Sequence, residues 1–210
     1  MFEYLSPTPL SGVWDNALLA PVAEINEQMI ECLRLMSGHD AVSDGRATPR
    51  LVSSLRPQWR QLDASSQRRL ASCPYLLLDG AFSQPGRWDR MLSGVVMDSV
   101  VRGIYFSDRS GIALLRRMLV LAWHLARSNR MMAGVILGMN AASAQRIAVT
   151  RLRDLEALAE VAPAWIAPRW EQQPIVWQQL IRAACDTHPL ALRQAHLRGL
   201  QLLARDHQRA

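Results

Sequence analysis

Apolar residues recur every three or four positions along most of the chain, and that period predicts helices. Leu18, Val22, Ile25, Met29, Leu33 and Met36 draw one stripe between Trp14 and Met36, with a polar face opposite. The run "SGHDAVSDGRATP", Ser37 to Pro49, has no period and predicts a loop or linker. Helices resume at Arg50. Asp63 is the natural N-cap of a short helix that ends before Pro74, and Asp108 or Ser110 is placed to cap a long helix reaching about Ser128. No sustained alternation marks a sheet; only "YLLLDGAF" and "VVRGIYF" suit short extended pieces. The prediction is an all-α protein.

Two stretches resemble each other. "LASCPYLLLDGAFSQPGRWDRML" from Leu70 and "LAEVAPAWIAPRWEQQPIVWQQL" from Leu158 each run from a Leu-Ala pair through a proline and an aromatic residue (Phe82, Trp170) to a Pro-x-x-Trp helix start. These starts are Pro85 with Trp88 and Pro174 with Trp177. Proline in a first helical turn loses no hydrogen bond, and a tryptophan one turn later can pack the helix inward. "LAWHLARSN" and "GLQLLARDH" are similar as well. The pattern predicts two related helical halves, an internal repeat, with an N-terminal helix and loop over 1–49, a first half over 50–128 and a second over 129–210. The alternative is that good helix starts are few and therefore look alike.

The stretch "LGMNAASAQRIA", 137–148, carries the most specific local chemistry. A helix ends at Leu137, Gly138 suits a left-handed turn, and Asn140 can cap a second helix beginning near Ala141. A helix-turn-helix needs such a corner, with small residues at the crossing and a polar start to its second helix. Ala144, Ile147 and Ala148 are expected to pack inward. Ser143, Gln145 and Arg146 are expected to face outward, with side chains able to read base edges or to grip phosphate, Gln145 and Arg146 being the expected readers. Arg151 and Arg153 follow at a spacing suited to phosphate contacts. Asn140, Ser143, Gln145, Arg146, Arg151 and Arg153 are thus the candidate DNA-binding residues; the structural alternative is a helical corner with solvated polar residues.

Charge adds modest weight. All 24 basic residues are arginines, against 18 acidic ones, giving a net charge of +6. Arginine is suited to phosphate and carboxylate, although genome composition also shifts arginine usage. The same region offers internal neutralisation, because Asp154, Glu156 and Glu160 stand close to Arg151 and Arg153.

From about Leu121 to Arg205 the chain resembles FlhD, the helical subunit of the bacterial flagellar master regulator. The residues that carry the resemblance are Leu137, Gly138, Met139 and Asn140, then the alanine-rich Ala144 to Ala148. Leu158, Ala159 and Glu160 follow, then Arg169, Trp170 and Glu171, and finally "LRQAHLRGLQLLARD". The resemblance implies a helical transcription regulator that binds promoter DNA together with a zinc-binding partner, FlhC. Two positions depart from the family. Ile166 stands where the family can carry an intersubunit cysteine, and the first 110 residues have no counterpart in a single FlhD domain. If the repeat is real, one chain would mimic the family's dimer.

Other chemistry is poorly served. Cys32, Cys73 and Cys185 form no CxxC pair, and the histidines have no ligand spacing, so neither a zinc site nor any cofactor is expected. No phosphate-loop, dinucleotide or nucleophile motif is present, and an enzyme is not expected. Asp79 in "DGAF" reads as a turn, and His124 as a core histidine. Trp165 and Trp170, flanked by prolines, are expected to form an exposed partner surface. No signal peptide or membrane span is visible, which points to the cytoplasm and to DNA, a protein partner or a homo-oligomer rather than a membrane. The competing function is a helical adaptor or chaperone that binds a partner protein without touching DNA.

Overall fold

A computed structural model describes residues 16–38, 48–93 and 105–209. Trp14, most of the predicted loop between Ser37 and Pro49, and the first five residues of "VVRGIYF" lie outside them. The described chain is all-α. In order it forms α1 (Asn16–Gly38), α2 (Arg50–Ser54), α3 (Arg56–Gln61), α4 (Ala64–Ala71), β1 (Leu78–Asp79) and α5 (Pro85–Leu92). Then come α6 (Asp108–Ser128), α7 (Arg130–Leu137), α8 (Ala141–Val149), α9 (Leu152–Val161), β2 (Ala167–Pro168), α10 (Pro174–Cys185) and α11 (Pro189–Arg209).

The stripe on α1 is the reason it folds inward. Val22, Ile25, Met29 and Leu33 are buried against α3, α4 and α6. Asp63 caps α4 by accepting from the Ser66 amide at 2.7 Å. The cap of α6 is Ser107, one residue before the expected pair: its Oγ accepts from the Ser110 amide, so Asp108 becomes the acid of the first turn. On α6, His124 is exposed rather than in the core, because it falls on the outer face with Arg116, Arg117 and Val120.

The two Pro-x-x-Trp segments do begin helices. Pro85 opens α5 and Pro174 opens α10, with Trp88 and Trp177 both fully buried. Before them, β1 and β2 pair antiparallel, Leu78 opposite Pro168 and Asp79 opposite Ala167. Just beyond each strand one residue takes a left-handed conformation, Ala81 at φ 55° and Trp170 at φ 54°. The helix after each strand then packs on the opposite set of helices: α5 lies on α8, and α10 on α3 and α4. Trp59 of α3 meets Trp177 of α10 with ring centroids 5.5 Å apart. One hydrophobic cluster consequently runs through both parts of the chain.

Among the described residues no helix is long and apolar enough to cross a membrane.

Candidate functional site

The corner predicted at 137–148 is present. Helix α7 ends at Leu137, Gly138 stands at φ 65° and ψ 31°, and α8 starts at Ala141. Asn140 caps α8 through Oδ1, which accepts from the Ser143 amide at 2.7 Å. Its Nδ2 donates to the Ser83 carbonyl at 2.9 Å, so Asn140 ties the corner to the loop before α5 and is not free to read a base.

Gly138 is favoured by its left-handed conformation, and a side chain there would also crowd its neighbours. A Cβ there would stand 3.2 Å from Nη1 of Arg169 and 3.3 Å from Cδ2 of Leu203. Arg169 itself is buried, with its Nε donating to the Leu76 carbonyl at 2.9 Å and its Nη2 to those of Leu78 at 3.3 Å and Leu137 at 3.0 Å. Burial pulls its guanidinium below the usual arginine range, while the Asp79 and Asp206 carboxylates act in the opposite sense. Arg169 is therefore the pin that joins the strand pair to the end of α7, a role its sequence neighbours do not reveal.

The candidate residues divide on burial. Ala144, Ile147 and Ala148 pack inward as expected. Ser143 does so too, contrary to expectation, because it lies one turn before Ile147 on the same face, and its Oγ has no hydrogen-bond partner among the described residues. Gln145 and Arg146 are exposed, beside the bare side chains of Ala141, Ala142 and Val149. Arg151 is exposed as the first residue before α9, and Arg153 is exposed with its Nε 3.5 Å from Asp154.

Two partners of this surface escaped the sequence. Arg146 forms an ion pair with Asp89 of α5, and Glu160 pairs with Arg116 of α6 rather than with a neighbour on its own helix. Arg127 is also occupied: its guanidinium lies 4.7 Å from the centroid of Trp123 and donates to the Ala148 carbonyl at 3.3 Å. Trp123 Nε1 donates to the Thr150 carbonyl at 3.0 Å. The end of α6 thus satisfies carbonyls at the end of α8, where they have no helical partner.

Trp165 and Trp170 do not form an exposed partner surface. Both are 8% exposed. Trp165 donates to the Gly80 carbonyl at 2.9 Å, packs edge-on against Trp88 and lies beneath the Arg87 guanidinium. Trp170 donates to Asp206 at 3.2 Å and meets Tyr75 edge-on. The strand pairing folds both rings under their neighbours, a long-range effect that local prolines do not signal.

The three cysteines are free thiols, and burial pushes the Cys73 thiol up to about 12. Among the described residues, no cluster of histidine, cysteine or carboxylate side chains could hold a metal ion. No protein-family model, no curated protein and no solved structure matches the chain.

Proposed function

We propose that the protein is a transcription regulator, or a subunit of one, that meets DNA through the open face of α8 and acts with a protein partner. The observation that carries this reading is the corner itself: a three-residue turn after α7 leads into a capped second helix on which Gln145 and Arg146 are exposed, with Arg151 and Arg153 just beyond. The resemblance of this region to FlhD supports the same reading. The repeated strand, left-handed residue and Pro-x-x-Trp helix start fit a chain whose halves are diverged copies, one chain doing the work of two subunits.

The ion pairs on this face oppose the reading only weakly. Arg146 and Asp89 retain 43% and 41% of their side-chain exposure, and pairs that exposed contribute about 0–1 kcal/mol. A phosphate can displace Asp89 at small cost. Duplex selection from a random library, followed by Arg146→Ala, tests the proposal. Affinity for the selected duplex should fall by roughly 1–3 kcal/mol. Unchanged affinity removes α8 from the interface.

A second reading rests on the apolar part of the same surface. Val149 is 78% exposed and Met131 of α7 is 74% exposed. They favour a helical adaptor whose corner receives a partner protein. Recovery of a partner by a protein that binds no duplex at low salt would select this reading.

A further inference from the structure

A cavity of about 620 Å³ opens between α7, the start of α8 and the later turns of α11. Its walls include Met131, Gly134, Met139, Ala144 and Leu203, with Arg130 as its one charged lining residue. The volume falls within the range of small-molecule pockets, about 300–1,000 Å³. The methionines give an adaptable apolar wall. Asn140 also borders the space, but its amide is engaged by the Ser143 amide and the Ser83 carbonyl. Arg130 has neither an ion-pair nor a hydrogen-bond partner among the described residues. It shares the cavity with Ala141, the first residue of α8, whose helix dipole favours negative charge.

From this complementarity we propose that the cavity binds an amphiphilic anion: an apolar chain against the α7 and α11 walls, with a carboxylate between Arg130 and the amino end of α8. Such a ligand touches α8 at Ala141 and Ala144 and so contacts the element assigned above to DNA. The binding claim goes beyond the regulator reading and does not depend on it, because it is tested without DNA.

Gly134 provides the decisive variant. A Cβ at this position meets nothing nearer than the Met139 carbonyl oxygen at 3.5 Å, an ordinary contact. Leucine is also a better helix former than glycine, so Gly134→Leu should obstruct the apolar wall of the cavity while α7 stays folded. Calorimetric titration of the intact protein with decanoate, below its micelle concentration, should show one saturable site. Decanol should bind roughly tenfold more weakly, the loss expected when one charge-assisted contact is absent. Gly134→Leu should abolish both signals at an unchanged urea midpoint or a higher one. Arg130→Gln should weaken decanoate alone. Absence of saturable decanoate binding, equal affinity for decanol, or binding that survives in a folded Gly134→Leu protein would each overturn the proposal.

Discussion

The guanidinium of Arg169 donates to the carbonyl of Leu137 at 3.0 Å, across 32 residues of sequence. The contact fixes the last residue of α7 against the strand pair, immediately before the turn that aims α8. The orientation of the candidate recognition helix thus depends on a buried cation far from it in sequence.

Arg169→Leu should therefore destabilise the protein by about 2–4 kcal/mol, because three buried carbonyls lose a donor while the desolvation of one charge is relieved. Arg169→Lys should recover only part of the loss, since an ammonium lacks the planar fork that spans Leu76, Leu78 and Leu137. Urea unfolding measures both. A change below about 1 kcal/mol for the leucine variant would show that the pin is dispensable.

At the turn itself, Gly138→Ala should cost about 1–2 kcal/mol for its left-handed conformation. Contact with Arg169 and Leu203 adds to that strain. Gly138→Asn should be milder in conformation, though it meets the same neighbours. Thermal melts of the two variants should rank alanine at or below asparagine.

His196 provides a pH test. Burial lowers its pKa to about 4 from an ordinary value of 6.5, so between these values the unfolded chain takes up the proton and the folded chain does not. Its contribution to stability is complete above pH 6.5 and is lost as pH falls toward 4. The urea midpoint should decline over that window, and His196→Gln should flatten the decline. Identical profiles for the two proteins would remove His196 as the cause.

The pair between Arg146 and Asp89 should be weak. A double-mutant cycle with Arg146→Ala and Asp89→Ala should return a coupling of about 0.2–1 kcal/mol in stability. A coupling above about 2 kcal/mol would make the pair structural and leave Arg146 unavailable to a phosphate.

What the sequence makes legible is local. The α1 stripe, the Asp63 cap, the Gly138 turn and the Asn140 cap all follow from residues within one or two turns of each other. The two Pro-x-x-Trp starts are legible for the same reason. What stays hidden is set by distant pairing. Trp165 and Trp170 are buried because β1 meets β2, and Arg146 finds Asp89 because α5 crosses onto α8. Ser143 is a subtler case, since the cap that holds its amide also places its side chain on the Ile147 face.

Binding of a labelled mixed-sequence duplex across a salt series asks whether Arg146 of α8, with Arg151 and Arg153 at the start of α9, neutralises DNA phosphate. Wild type should bind at low salt and weaken steeply as salt rises. Arg146→Ala, Arg151→Ala and Arg153→Ala should each reduce the logarithmic slope by about 1 where the side chain meets a phosphate. Asp89→Asn should bind more tightly than wild type. No binding at low salt, or a slope that none of the three arginine variants changes, would show that these arginines do not hold DNA phosphate.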